Sequence, residues 1–451
     1  MPIPPAVLAV SAALVLVFAA DAEWTPPPGV CHAGAYALSD GSRVILTPSD
    51  EPNLRYRFED GRSGRLYLGE DGRYTSGEGW SVAEPVILTV ETGACGDGHV
   101  RFEYTDGPAL DGERIALPVE PVTAERDGVR LYGELVLPQD GDAEAVIVLQ
   151  YGSGPDSAVA FNYVQHLLPL HGIAVLVFDK RGTGRSTGEF SADIETLAHD
   201  AAAMVEALPD RVDGLPVGLM GESQGGWVVP LAALESGADF VVVGYGLAVP
   251  MQEEDRLEVR QSLAQAGYGP DVLALGETMH AAAMRVANSR FADGLDELSA
   301  LKARYRDEAW FDALGGDITG LLTATPDAEM EAVRRMLDFP YDLTYDSLPA
   351  IQALEVPLLW VLAGADTEAP HENTLAILEN LQAQGQPVDI AIFPDAEHGL
   401  IAVDGNPGED RRLAGRYAEG YFGLLVDWIR TREFSGPYGE ARLVPATRNE
   451  D

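Results

Sequence analysis

The chain has 451 residues, 46% hydrophobic and 23% charged, a globular composition that excludes an intrinsically disordered protein. Lysine and arginine together number 30 against 72 aspartates and glutamates, so the formal net charge is −42. At neutral pH this field repels nucleic-acid phosphates and anionic lipid, so neither is an expected partner. The only lysines are Lys180 and Lys302. Such a surface fits either an adaptation to high salt or the ordinary acidity of a protein from a GC-rich genome.

The N-terminus contains an uncharged apolar run over residues 6–20, which is short for a membrane span and typical of a signal-peptide core. Ala20, at the end of this run, and Ala22 form an A-x-A cleavage pattern, although the residues before the run lack a basic side chain. We predict a signal peptide over residues 1–22 and export to the periplasm or the extracellular space. An uncleaved anchor is the alternative, and no stable membrane partner is otherwise expected.

Residues 23–118 are predicted to form a small all-β domain. Short alternating stretches such as SRVILTP, LRYRFED and HVRFEY are separated by Asp-Gly turns, including Asp40-Gly41, Asp60-Gly61 and Asp71-Gly72. Fewer than 100 residues are too few for a propeller, whose blades each need about 40 residues. The only cysteines, Cys31 and Cys95, both lie in this segment. Export and an even count favour a disulfide between them, with two buried free thiols as the alternative.

From about residue 120, apolar strand-like runs alternate with helical ones, which is the pattern of a parallel sheet covered on both faces. Charged, alanine-rich helices interrupt this alternation before it resumes. The predicted fold class is therefore α/β, a mostly parallel sheet flanked by helices, with a helical cap insertion and the N-terminal β domain. The predicted boundaries are 119–246 and 347–435 for the two parts of the core, 247–346 for the insertion, and 436–451 for a polar tail.

The most informative motif is Gly221-Glu222-Ser223-Gln224-Gly225, which follows the apolar run PVGLM and begins a helix-compatible stretch. A strand, a tight turn and a helix are the setting of a G-x-S-x-G nucleophile elbow. The two glycines allow the sharp turn, and Ser223 would sit at a helix N-terminus that favours a developing anion. Ser223 is thus predicted to be a nucleophile, the alternative being a structural serine in a turn.

A serine nucleophile needs a base and an orienting acid, which follow it in the order serine, acid, histidine in α/β hydrolases. Of eight histidines, His398 in FPDAEHGL is the one that comes late, just after a strand-like run. Asp366 follows the strand-like run VPLLWVLAG and is the predicted acid. Asp395 is closer to His398 in sequence but is expected only to shape its loop. Glu253 or Glu254 would require a less common position of the acid.

The oxyanion hole is predicted to use the backbone N–H groups of Gln224 and Ser153. Ser153 lies in the loop Tyr151-Gly152-Ser153-Gly154-Pro155-Asp156, whose glycines permit close backbone approach. The run DKRGTGRS, starting at Asp179, lacks P-loop spacing and is expected to brace the loops beneath the site rather than bind nucleotide. No histidine and acid cluster with metal-ligand spacing is present, so neither a metal nor another cofactor is predicted.

The motifs YGSGPDS, DKRGTGRSTGEF, GESQGGWVVPLAA, VLAGADTEAP and FPDAEHGL resemble those of secreted bacterial α/β-hydrolase esterases near the dienelactone-hydrolase and prolyl-oligopeptidase branches. The resemblance covers residues 120–435 and implies hydrolysis of carboxylic esters through an acyl-enzyme. Tyr151 departs from it, because the family usually has histidine there, and Tyr151 is expected to affect the shape of the pocket.

The predicted function is a serine esterase acting on small to medium neutral acyl esters, because the negative charge disfavours anionic substrates. Trp310 and Phe311 of the insertion are expected to line the pocket and select the acyl group. One alternative is a peptidase or amidase of the prolyl-oligopeptidase type, although Gln224 stands where those enzymes usually carry tyrosine. A second alternative is a binding protein that uses its β domain, with a secondary hydrolase.

Overall fold

A computed structural model describes residues 24–405 and 412–447, and the predicted signal peptide lies outside this range. The described residues form two compact units, one made of residues 249–345 and 367–370 and the other of the remainder. Within the described ranges, no helix combines the length and the apolar character needed to cross a bilayer.

The N-terminal segment folds into a closed antiparallel barrel in which each strand pairs with the next and the last pairs with the first. Closure leaves no free sheet edge. Alternate side chains fill the interior, including Tyr36, Tyr56, Phe58 and Phe102. This all-β domain was predicted, and the predicted disulfide joins Cys31 to Cys95 with their Cα atoms 5.4 Å apart. The strands are β1 Gly34–Leu38, β2 Arg43–Pro48, β3 Leu54–Phe58, β4 Ser63–Leu68, β5 Tyr74–Gly77, β6 Val86–Thr92, β7 His99–Tyr104 and β8 Ala109–Arg114.

The rest of the chain contributes a nine-stranded sheet and a small three-stranded one. The strands are β9 Val119–Arg126, β10 Val129–Val136, β11 Ala145–Gln150, β12 Ile173–Asp179, β13 Val217–Glu222, β14 Phe240–Gly244, β15 Leu358–Ala363, β16 Val388–Phe393, β17 Ala396–Glu397, β18 Ile401–Asp404, β19 Arg412–Tyr417 and β20 Arg442–Val444. The large sheet has the order β20-β16-β15-β14-β13-β11-β12-β10-β9. Its six central strands, from β16 to β12, are parallel. This confirms the predicted mostly parallel α/β sheet.

The α-helices, in chain order, are α1 Ala158–Phe161, α2 Val164–Leu167, α3 Ile194–Glu206, α4 Gly225–Ser236, α5 Met251–Gln265, α6 Pro270–Asn288, α7 Leu295–Tyr305, α8 Asp317–Ala324, α9 Met330–Met336, α10 Leu348–Ala353, α11 Glu372–Ala383 and α12 Tyr421–Thr431. Helices α5–α9 come between β14 and β15 and form the separate helical unit. That unit has its own apolar core, built around residues such as Val259, Met279 and Leu322. The helical insertion was predicted from its alanine-rich, charged sequence.

The C-terminal region differs from the prediction in two respects. The stretch RRLAGRYAEGYFGLLVDWIRTREF predicts one long final helix, but the structure has the strand β19 followed by α12, which begins after Gly420 in a left-handed conformation with φ of 84°. The expected polar tail, residues 436–451, contains β20, which pairs antiparallel with β16. An edge strand such as β16 exposes unpaired backbone groups, and β20 satisfies them. A three-residue strand is too short to show an alternating pattern in the sequence.

The barrel packs against the α/β part of the same unit through aromatic and arginine side chains. Arg57 on β3 donates from Nε to the Tyr417 hydroxyl at 2.8 Å and lies 4.5 Å from the centre of the Tyr163 ring. The Trp80 ring meets Tyr417 edge to face, and the backbone N–H of Tyr417 donates to the Gly61 carbonyl. The barrel therefore packs directly on the α/β part, whose sheet carries the site described next.

Candidate active site

Six loops leave the carboxyl ends of the parallel strands at one edge of the sheet, and they carry the residues of the site. The chain passes from β11 to β12 on one side and then to β13 on the other, so β11 and β13 flank the point where the winding direction reverses. In open α/β sheets, ligands bind at the carboxyl ends of the strands beside this point. The loop beginning at Tyr151 follows β11, and Ser223 follows β13.

Ser223 lies on a sharp turn between β13 and α4, with φ of 52°. Its N–H donates to the Gly244 carbonyl at 3.0 Å, which holds the turn against the neighbouring strand β14. A side chain on Gly221 would overlap the Gly225 carbonyl, and a Cβ on Gly225 would come within 2.7 Å of the Gln150 carbonyl oxygen. The sequence thus folds into this turn because glycine stands at both positions where backbone must pass close to backbone.

Ser223, His398 and Asp366 form a hydrogen-bonded chain, although 175 residues separate the first two. His398 Nε2 lies 3.0 Å from Ser223 Oγ, and His398 Nδ1 lies 2.9 Å from Asp366 Oδ2. The carboxylate accepts from Nδ1–H, which leaves Nε2 unprotonated and able to accept the serine proton. The Asp366 side chain is 1% exposed and that of His398 20% exposed. The Asp366 carboxylate is therefore shielded from water, while the His398 ring is partly accessible.

The loop after β11 passes close to Ser223. A Cβ on Gly152 would lie 3.4 Å from Ser223 Cβ and 3.3 Å from the Glu222 carbonyl oxygen, so the backbone of this loop runs against the elbow. Within residues 24–405 and 412–447, the backbone N–H groups of Ser153 and Gln224 make no hydrogen bond. An oxyanion hole requires unpaired donors near the serine hydroxyl; Gln224 directly follows Ser223, and Ser153 directly follows Gly152, whose backbone runs against the elbow. Both were selected from the sequence for this role.

Glu222 and Tyr245, which the sequence did not single out, adjoin the triad. Asn162 Nδ2 donates to Oε2 of Glu222, the residue before Ser223, at 2.8 Å. Burial raises the pKa of Glu222, while hydrogen bonds from Asn162 and Tyr245 act in the opposite direction. The Tyr245 ring meets the His398 ring edge to face at 5.0 Å. Tyr245 directly follows β14, so its position at the carboxyl end of a strand was the one available signal.

The remaining predicted binding residues lie in different surroundings. Tyr151 is half-buried against the core of the α/β part, and burial raises its pKa to about 12. Trp310 is 5% exposed and packs against Tyr305 and Phe311 in the core of the helical unit. The structure therefore gives Trp310 and Phe311 a packing role within their own unit.

One group of potential metal ligands occurs in the described part of the chain. Potential ligand atoms of Cys31, His32 and Cys95 lie within 4.8 Å of one another. Both cysteine sulfurs are joined in the disulfide. Because cysteine binds metal as a thiolate, these two sulfurs do not serve as metal ligands.

Two families match different parts of the chain. Residues 141–274 match the family described as serine aminopeptidase, S33, and residues 328–423 match the prolyl oligopeptidase family. The first range includes the elbow and the loop after β11, and the second includes Asp366 and His398.

Two curated relatives carry esterase names. The chain is 24% identical over 300 residues to Esterase EstD of Thermotoga maritima, a match that covers 64% of this chain and 63% of that protein. It is 31% identical over 111 residues to caffeoylshikimate esterase of Arabidopsis thaliana, covering 24% of this chain and 33% of the relative. The chain thus spans less than two thirds of the length of both relatives.

Solved structures similar to this one include esterase Pf2001 of Pyrococcus furiosus, with 17% identity, a TM-score of 0.38, and coverage of 63% of this chain and 82% of that one. Another is acylaminoacyl peptidase of Pyrococcus horikoshii, with 16% identity, a TM-score of 0.39, and coverage of 79% and 52%. The strand order, the elbow and the residues that follow the strands define an α/β-hydrolase fold. The chain is similar in sequence to hydrolases named as esterases and as peptidases.

Proposed function

We propose that this protein is a serine hydrolase that cleaves small to medium neutral carboxylic esters through an acyl-enzyme. The observation that carries the proposal is the hydrogen-bonded chain from Ser223 through His398 to Asp366. Each component has the residue type and the reach that acyl transfer requires.

In the proposed reaction, Ser223 Oγ attacks the acyl carbon while His398 Nε2 takes the hydroxyl proton. The carbonyl oxygen becomes an oxyanion that accepts from the N–H groups of Gln224 and Ser153. The carbon–oxygen bond to the alcohol then breaks, and His398 gives its proton to the departing alkoxide. Water repeats the sequence on the acyl-enzyme and releases the acid. Throughout, Asp366 holds the imidazole and stabilises its charged form.

Replacing the nucleophile tests this proposal. Ser223→Ala is expected to lower kcat/KM for p-nitrophenyl butyrate by about 10⁴-fold or more, because attack at the acyl carbon is lost. It should also abolish labelling by a fluorophosphonate probe. Ser236→Ala, at the far end of α4, is the matched control and should retain both. Ester hydrolysis unchanged in Ser223→Ala would refute the assignment.

Amide hydrolysis is the second candidate, because both matching families are named as peptidases. The same triad can cleave amides provided that the leaving amine is protonated by the base. Parallel assays on p-nitrophenyl esters and on aminoacyl and prolyl p-nitroanilides separate the two. A kcat/KM higher for an anilide than for every ester would replace the esterase proposal with a peptidase.

Export is a further part of the proposal. The Cys31–Cys95 disulfide supports it, because disulfides persist mainly in oxidising compartments. N-terminal sequencing of the protein recovered outside the cytoplasm is expected to begin at Glu23.

A further inference from the structure

Lys180 carries a buried amine close to the site and does not belong to the triad. It directly follows β12 and is 2% exposed, and its Nζ donates to the Gly152 carbonyl at 2.7 Å. Nζ also lies 5.5 Å from the centre of the Phe190 ring. Burial lowers the pKa of Lys180 to about 7, which reflects the cost of placing an ammonium there. An apolar side chain of the same length would avoid that cost, so the contact with Gly152 calls for an explanation.

The preceding residue, Asp179, holds the other end of the same loop. Its Oδ1 accepts from Ser157 Oγ at 2.7 Å and from the Val159 N–H at 3.2 Å, at the start of α1. Two consecutive residues at the end of β12 therefore fix residues 152–157 at both ends. This anchoring constrains the part of the loop that runs against Ser223.

The contact with the Gly152 carbonyl determines where the next N–H points. The Gly152–Ser153 peptide is trans, so its C=O and N–H point in opposite directions. Holding the oxygen toward Lys180 turns the Ser153 N–H away from Lys180. The hydrogen bond from Nζ to the carbonyl oxygen also polarises the peptide and strengthens its N–H as a donor.

We propose that Lys180 is a positioning residue for the oxyanion hole, orienting and polarising the Gly152–Ser153 peptide so that the Ser153 N–H stabilises the developing oxyanion. This inference rests on the proposed serine-hydrolase function and assigns a specific role within it. Lys180 touches neither the substrate nor the reacting atoms and acts through one peptide group.

The kinetic test compares Lys180→Met with Lys302→Met. Methionine has a similar length and no donor, and Lys302 is a second buried lysine whose partners are Asp327 and Thr325 in the helical unit. For Lys180→Met, kcat on p-nitrophenyl butyrate is expected to fall about 10- to 100-fold with KM changed less than about twofold, because the interaction acts in the transition state. Lys302→Met should match the wild type, and Lys180→Gln, which keeps a donor, should recover part of the loss.

A trifluoromethyl ketone separates this role from a merely structural one. Its adduct with Ser223 carries an oxyanion in the same hole, so its inhibition constant should rise by the same factor as kcat falls in Lys180→Met. In wild-type protein labelled with [ε-¹³C]lysine, two resonances are expected, and Lys302→Met assigns them. The ketone should shift the Lys180 resonance and leave that of Lys302 in place. This second measurement does not depend on the folding of a Lys180 variant.

The outcomes distinguish the two proposals. An active wild type whose Lys180→Met variant keeps both kcat and ketone affinity overturns the role of Lys180 alone. An unshifted Lys180 resonance in the ketone-saturated wild type has the same consequence. A wild type that neither hydrolyses esters nor binds the ketone overturns the proposed function together with this inference.

Discussion

At the scale of single residues, two energetically unfavourable features of the site are adjacent in sequence. Ser223 holds a left-handed backbone conformation, which costs of order 1–3 kcal/mol for a residue other than glycine. Glu222, directly before it, is a buried carboxyl group that accepts hydrogen bonds from Asn162 and Tyr245. The surrounding backbone hydrogen bonds hold the serine in this conformation, and the result is a hydroxyl within hydrogen-bond distance of His398.

The buried Glu222 predicts a dependence of stability on pH. Its pKa is raised in the folded state, so above the ordinary value of 4.5 the unfolded chain releases this proton first and folding stability falls as pH rises. Glu222→Gln removes the titration and its amide oxygen can still accept from Asn162. We expect the variant to gain stability relative to the wild type at pH 8 and much less at pH 5.

Urea unfolding at both pH values measures this difference. Glu70→Gln, on an exposed turn of the barrel, is the control and should leave the free energy of unfolding unchanged at both pH values. A Glu222→Gln gain of equal size at pH 5 and pH 8 would exclude titration of Glu222 as the cause.

At the scale of elements, a strand of the barrel interacts directly with side chains of the α/β part. Burial raises the pKa of Glu222, and the charge of Arg57 on β3 partly offsets this rise, so a strand of the barrel acts on the residue next to Ser223. The same side chain hydrogen-bonds to Tyr417, which packs on Trp80 and on Tyr163. Aromatic packing around an arginine of this kind connects the two parts more firmly than a flexible linker would.

Removing Arg57 is expected to weaken the packing of the barrel against the α/β part. Arg57→Met leaves the Tyr417 and Thr47 hydroxyls without a charged donor, and should lower the free energy of unfolding by about 1–3 kcal/mol. Arg65→Met is the matched control, because the ion pair of Arg65 with Asp50 lies within the barrel and should contribute less than about 1 kcal/mol. Equal losses in urea unfolding would show that Arg57 does not connect the two parts.

At the scale of the whole molecule, the net charge and the disulfide affect the stability of the fold more than the reaction at the site. The net charge of −42 favours solubility and opposes compaction through self-repulsion. The disulfide acts in the opposite direction, because it links residues 64 positions apart and reduces the entropy of the unfolded chain. A closed loop of that length corresponds to about 4 kcal/mol in the chain-entropy account.

Removing the disulfide is therefore expected to lower the stability of the fold. Cys31→Ser with Cys95→Ser should lower the free energy of unfolding by about 2–4 kcal/mol, while ester hydrolysis at 25 °C stays near the wild-type rate. Dithiothreitol should lower the urea midpoint of the wild type and leave that of the double variant unchanged. A double variant as stable as the wild type would show that the linkage contributes nothing.

The sequence alone determined the features that depend on local pattern. Alternating strands with Asp-Gly turns predicted an all-β domain, and apolar strands alternating with helices predicted the parallel sheet. The elbow around Ser223 was recognisable because its glycines and its strand-to-helix context are contiguous. The order of the motifs along the chain also selected Asp366 and His398, which the folded chain brings within hydrogen-bond distance of one another.

Only the tertiary structure decided what depends on residues distant in sequence. Closure of the barrel requires β1 to pair with β8, and no local pattern encodes that partner. The short strand β20 forms because the edge of β16 offers unpaired backbone groups. The contacts of Lys180 with Gly152, of Asn162 with Glu222 and of Arg57 with Tyr417 join different strands and loops. The sequence carries the chemistry of each side chain, but burial and distance, which give these contacts their energy, exist only once the chain has folded.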